Sequence, residues 1–256
     1  SNIKYFKKNK NVAIDIGRKD LKNKIKGKVT PGIENLIRSP FGGYIKKNVV
    51  KKNNKIKILI ASHCFFDSPH VFGNFFFNDF YEWLEYLGKL SEKKDYEWYI
   101  KPHPNKLYTS INNKILNNFV AKYKKIKLVD RDVSHKSFIG KVDYVLTIHG
   151  NIGEEYALFN IPVINGSING RFSNFKFNIN PKNFKEYNKI LLNLKKNPNL
   201  NINKNDIYFC HYLNYFYWHQ NILVNFTKVA KEIGWKDIHG FKIIKYLTKN
   251  FSHKKH

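Results

Sequence analysis

The sequence predicts an α/β fold: a doubly wound parallel sheet followed by a helical C-terminal tail. Three observations predict it. From Lys55 onward, short apolar runs alternate with helix-period stretches four or five times, as in a parallel sheet with helices on both faces. Val142 to Ser167 reads as strand, glycine turn, short helix, strand, which is one βαβ unit. Every polar cluster suited to chemistry follows a strand, so all of them fall on one edge of the sheet.

The elements follow in order. KIKILIAS (55–62) is a first strand and HCFFDSPHVFG (63–73) its loop. Asn78 to Leu90 is a helix with Phe80, Trp83, Leu84, Leu87 and Leu90 on one face at spacings of three and four. Tyr96 to Ile100 is a second strand, ending in KPHPN; Ser110 to Tyr123 is a helix; Ile126 to Val129 is a third strand, followed by DRDVSHKSF. Then come a strand at Asp143 to Ile148, a short helix at Glu154 to Phe159, a strand at Ile161 to Ile164 and a helix at Phe184 to Leu194. The tail, Asp206 to Thr248, is aromatic and helical, with polar residues too dispersed for a membrane anchor.

The chain thus divides into a basic N-terminal segment (1–54), an α/β domain (55–205) and a helical tail that packs on it (206–256). The first segment is rich in Lys and Asn, with weak apolar periodicity. PGIENLIRS (31–39) fits a short helix with Pro31 near its start, FGGY (41–44) a turn and KKNVVKKNNK (46–55) a linker. The segment is either an arm wrapped on the main body or the end of a preceding domain.

The 256 residues, 42% of them hydrophobic, suffice for a full core. No signal-peptide pattern and no apolar run long enough to span a bilayer occurs, and Cys64 and Cys210 lack metal spacing. A reduced cytoplasmic setting is expected, with peripheral attachment to the inner membrane. The formal charge is +27, but arginine occurs only at Arg18, Arg38, Arg131 and Arg171. Nucleic-acid readers favour arginine's bidentate fork, so a nucleic-acid partner is not expected. The lysine excess suits sugar nucleotides, acidic polysaccharide or an anionic membrane surface.

The candidate site residues come from the loops after the strands. In KPHPN two prolines stiffen the loop around His103, with Lys101 two residues earlier. A preorganised imidazole beside a lysine suits a phosphate oxygen; Asn105 closes the same loop. Asp67 and His70 have the spacing of an acid–base pair on a turn. Ser62 follows the first strand and Arg131 the third. His149, Gly150 and Asn151 form the turn of the βαβ unit. Glu154 and Glu155 either suit the dipole of the helix they begin or accept hydrogen bonds from ribose hydroxyls. His135 and His211 read as structural. No GxGxxG, Walker lysine loop or zinc spacing is present. The DRD at 130–132 is a poor metal loop, so neither metal nor cofactor is expected.

KPHPN after a strand, followed by TIHGNIGEEYALFNIPVI, resembles the C-terminal, donor-binding half of GT-B glycosyltransferases that build bacterial capsules and surface polysaccharides. SHCFFDSPH with the FNDFYEWL helix is similar to the same group, and the likeness spans roughly residues 55–200. The resemblance implies a nucleotide-sugar donor and a polysaccharide or lipid-linked acceptor. It implies that His103 meets a donor phosphate, that His149, Gly150 and Asn151 line the phosphate side, and that Glu155 binds the ribose. A full GT-B enzyme carries another domain before this one, so a further domain or partner is expected. Glycerophosphotransferases with a KPHP loop and sugar-nucleotide 2-epimerases resemble the same architecture. A non-catalytic nucleotide- or carbohydrate-binding module is the competing class.

Overall fold

A computed structural model of the protein describes residues 2–34, 36, 38–67, 75–104, 109–168, 170–198 and 200–217, with the backbone alone for 2–8. Its centre is a five-stranded parallel sheet: β1 (Lys57–Ala61), β2 (Glu97–Lys101), β3 (Ile126–Leu128), β4 (Tyr144–Thr147) and β5 (Val163–Asn165), in the order β3-β2-β1-β4-β5. Register runs straight across the middle, with Ile58 opposite Trp98 on one side and Tyr144 on the other. The doubly wound α/β class is therefore correct.

Side-chain alternation sorts the strands' apolar residues onto two faces. Ile58, Ile60, Trp98, Ile100, Leu146 and Ile164 meet α2 (Phe80–Lys93), α3 (Thr109–Lys122) and α5 (Phe184–Leu192) on one face. Leu59, Tyr99, Val145 and Val163 meet α4 (Ile152–Ala157) and the apolar residues of 41–50 and 133–142 on the other. Both faces are covered, which is why the strands read as continuous apolar runs. α2 begins where Asp79 accepts from the Glu82 N–H at 2.7 Å, and α5 where Asn183 accepts from the Glu186 N–H at 2.9 Å.

The N-terminal segment departs from expectation. Asn2–Ile25 is a 24-residue helix, α1, and it packs against α6 (Lys204–Tyr212). Its buried positions are Ala13, Ile14, Gly17, Leu21 and Lys24, a stripe at spacings of three and four. Of the expected helix at 31–39, the described residues are turns, bends and irregular backbone. Phe41 and Val50 enter the core, and the Ser134 N–H donates to Tyr44 O at 2.7 Å. Residues 1–212 make one compact unit that contains this segment. Of the remainder, Leu213–Tyr217 is a π-helical turn, and the expected helix from 218 to 248 lies outside the described residues.

Candidate functional site

The order β3-β2-β1-β4-β5 reverses direction between β1 and β4. In doubly wound sheets the loops leaving the two strands at such a switch point border the place where ligands are held. His63, two residues past β1, bridges the two loops. Its Nε2 lies 3.1 Å from the Ile148 N–H and 3.1 Å from Thr147 Oγ1. The Gly150 N–H donates to that same Thr147 oxygen at 3.2 Å. An N–H aimed at Nε2 requires its lone pair, so the imidazole is neutral with its proton on Nδ1. Burial pushes the His63 pKa far down, and the neighbouring His149, His103 and Arg171 push the same way. The ring is clamped by stacking on Phe80, with centroids 4.4 Å apart, and His149 sits 5.0 Å away.

His103 is half-buried on the loop after β2. Burial holds its pKa down to about 4; the Asp67 carboxylate opposes this and Arg131 reinforces it. The imidazole is therefore neutral at pH 7 and offers an N–H rather than the charge-assisted bond expected of it. Asp67 is exposed and close enough to act on His103, so its electrostatic neighbour is His103; His70, its expected partner, lies outside the described residues, as does Asn105.

Three of the residues expected to bind the nucleotide sugar are engaged within the fold. Lys101 is buried, and its Nζ donates to Arg131 O at 2.7 Å. Burial brings its pKa down to about 8 despite Asp130 and Asp132. Arg131 donates to Thr109 Oγ1 at 2.7 Å and to Asn113 Oδ1 at 2.9 Å, pinning the β3 loop to α3. Ser62 Oγ donates to Lys101 O at 3.1 Å and ties β1 to β2. Their positions hold the loops that carry His63 and His103.

The glycine turn is also shaped by packing. Neither Gly150 nor Gly153 adopts a positive φ. A Cβ on Gly150 would lie 2.8 Å from Thr147 Oγ1, and one on Gly153 would strike Asn178 and Phe172 at 2.5 and 2.6 Å. Gly150 leaves room for the hydroxyl that holds His63; Gly153 lets the loop at 172–178 close on α4. Asn151 stands at the N-cap of α4 without a side-chain cap. His149 is buried against His63 and Phe80, with the backbone of Gly170 passing over it.

Glu154 and Glu155 stand in the first turn of α4, as the dipole reading expects, but both are buried, at 0% and 2% exposure. Lys24 of α1, itself 0% exposed, places Nζ 2.7 Å from Glu155 Oε1 and 3.7 Å from Glu154 Oε1. His211 of α6 bridges Glu154 Oε1, at 2.9 Å from Nδ1, and Asp20 Oδ2, at 2.8 Å from Nε2. Burial alone would lower the His211 pKa; Glu154 and Asp20 override it and hold the imidazolium up to about 9. Where a ribose-binding role was expected, the two glutamates are closed off by α1 and α6 and anchor those helices to α4.

Arg171 is a candidate site residue that motif reading missed. It is half-buried on the loop after β5, and its charge acts on both His63 and Glu154. An isolated arginine in a polar loop gives no spacing signal; its rarity in a lysine-rich chain was the available hint. His63 was visible as a strand-end residue, but its bond to Thr147 joins segments 84 residues apart. Among the described residues no cluster of His, Cys, Asp and Glu could hold a metal ion, and no helix is long and apolar enough to cross a membrane.

No family model matches the sequence, and no curated protein does. Solved structures similar to it include two of KpsC from Thermosulfurimonas dismutans, a beta Kdo 2,4 transferase and a beta Kdo 2,7 transferase, at 13% and 12% identity and a TM-score of 0.45 each. Both alignments cover 78% of this chain, and 55% and 52% of those chains. A UDP-GlcNAc 2-epimerase from Methanocaldococcus jannaschii, in complex with UDP-GlcNAc and UDP, is similar at 19% identity and a TM-score of 0.38, over 60% of this chain and 43% of that one. The chain thus spans about half the length of these structures.

Proposed function

We propose that the chain binds the phosphates of a nucleotide-activated sugar in the crevice between the β1 and β4 loops, and that it serves glycosyl transfer to a bacterial surface polysaccharide or its lipid-linked precursor. One observation carries this reading: His149 stands 5.0 Å from His63, and His103 and Arg171 also act on His63, at the carboxyl edge of the sheet beside the switch point. Imidazole N–H groups and one guanidinium there suit a diphosphate. The resemblance of KPHPN and the glycine turn to GT-B enzymes supports the donor class.

In this reading the leaving nucleotide phosphate gains charge as the sugar departs, and the donors meet it already oriented. Arg171 supplies positive charge and His103 an N–H. The diphosphate opposes the effect of burial on His103 and draws a proton to it. Asp67, exposed beside His103, is the candidate base for the acceptor hydroxyl. The mechanism assigns no role to a metal ion, and the nucleoside is held by groups other than Glu154 and Glu155.

Calorimetry of CMP, CDP, UDP and GDP against wild type, His103→Gln and Arg171→Gln tests the reading. One nucleotide is expected to bind, and each substitution is expected to weaken it by roughly tenfold or more while circular dichroism stays unchanged. Absence of binding by all four to folded wild type, or full affinity in both variants, overturns it.

A further inference from the structure

A cleft of about 730 Å³ opens at the other edge of the sheet, where the strands begin. Because all the strands are parallel, this edge is opposite the histidine cluster. Its wall comes from the segments leading into β1, β4 and β5 and from the turn after α5.

Six of its eighteen lining residues are lysines: Lys47, Lys51, Lys52, Lys57, Lys141 and Lys196. Asp143 is the one acidic residue among them, and its oxygens are occupied. Oδ2 accepts from the Lys57 N–H at 2.8 Å and from Lys196 Nζ at 3.2 Å, and Oδ1 accepts from the Asn197 N–H at 3.2 Å. Three of the ammonium groups are fixed on the wall by backbone carbonyls: Lys57 on Asn53 O at 2.6 Å, Lys196 on Lys55 O at 2.7 Å and Lys141 on Lys47 O at 2.8 Å. Lys57 is only 7% exposed. Burial lowers its pKa first, and Lys196 beside it lowers it further, against the pull of Asp143 and Glu97. Asn160 and Asn197, the two non-glycine residues with positive φ among the described residues, at 58° and 50°, both line this cleft. Such backbone is uncommon and persists where the surroundings hold it.

We propose that this cleft is a binding site for a compact polyanion carrying several adjacent phosphate groups. Crowded ammonium groups with a single, already occupied carboxylate favour a multiply charged anion. Lysine offers point charges suited to tetrahedral phosphate, and the lining holds no arginine fork for planar carboxylates. It also holds no aromatic side chain on which a base or sugar ring would stack, so a nucleic acid is disfavoured. A concave wall does not fit a flat membrane surface. The site stands apart from the donor crevice, and either can fail without the other.

The probe is inorganic tripolyphosphate, titrated at about 0.15 M salt, where surface charges are screened beyond roughly 8 Å. Wild type is expected to bind it. The triple variant K47Q/K51Q/K52Q, which changes exposed side chains only, is expected to lose roughly tenfold or more in affinity. K89Q/K93Q/K114Q removes the same charge from exposed positions on α2 and α3 and is expected to change affinity by less than about twofold. Equal losses in the two variants, absence of binding to wild type, or equal affinity for citrate or a short oligonucleotide overturns the proposal. Thermal melts of both variants verify the fold.

Discussion

His211 keeps a charge that burial would remove, because Glu154 and Asp20 receive its two ring N–H groups. Its folded pKa of about 9 stands above the ordinary 6.5, so its contribution to stability is full below pH 6.5 and is lost as pH rises toward 9. Glu154 runs the other way. Burial opposes its charge, yet His211, Lys24 and Arg171 hold its pKa below the ordinary value, so its contribution is lost in acid. His211→Gln is expected to lower stability at pH 6.5 by on the order of 3 kcal/mol. Urea melts from pH 5 to 10 check this, with the alkaline slope absent in the variant. His103 gives a second expectation. Its pKa of about 4 leaves it neutral at pH 6; a bound diphosphate raises it, so binding takes up a proton. Calorimetry in two buffers of different ionisation enthalpy measures that uptake, and His103→Gln is expected to abolish most of it.

Helix α1 is held by close approach as much as by charge. A Cβ on Gly17 would lie 2.0 Å from Tyr208 O of α6, a backbone atom that cannot step aside. Gly17→Ala is therefore expected to destabilise the fold by about 2–3 kcal/mol, despite alanine's better helix propensity; a shift of the urea midpoint reads it. Lys24→Met removes the cation that lies between Glu154 and Glu155 and is expected to cost about 3–5 kcal/mol. Lys24→Met combined with Glu155→Gln is expected to restore part of that loss in a double-mutant cycle. α1 was legible in principle. Its stripe of Ala13, Ile14, Gly17, Leu21 and Lys24 has helical spacing, but glycine and lysine do not count as apolar, so the period was hidden. Gly17 is needed because two backbones meet there, and Lys24 is inside because two carboxylates are. Both reasons lie on other elements.

Across the whole molecule, 46 Lys and Arg face 19 Asp and Glu. Self-repulsion on that scale destabilises the compact state, and salt screens it. Raising NaCl from about 0.05 to about 0.5 M is expected to raise the melting temperature, as scanning calorimetry would show. A fall would mean that paired charges outweigh the repulsion. The same excess is unevenly placed: the amino edge of the sheet gathers lysines, whereas the carboxyl edge gathers imidazoles and Arg171.

The sequence by itself determined the parallel α/β sheet, the succession of strands and helices from Lys55, and that the polar loops after the strands share one edge. These follow from periods of two and 3.6 residues and from turn chemistry, which are local properties of the chain. Only the tertiary structure decided which polar groups on that edge are bonded inside the fold. Lys101, Arg131 and Ser62 look like ligands in sequence, yet they bond to the β3 loop, to α3 and to β2. Glu154 and Glu155 stand where a nucleotide-binding carboxylate is expected, yet α1 and α6 close over them. The physical reason is distance along the chain. His211 and Asp20 are 191 residues apart in sequence, and their hydrogen bond exists only once α1 and α6 have packed on α4.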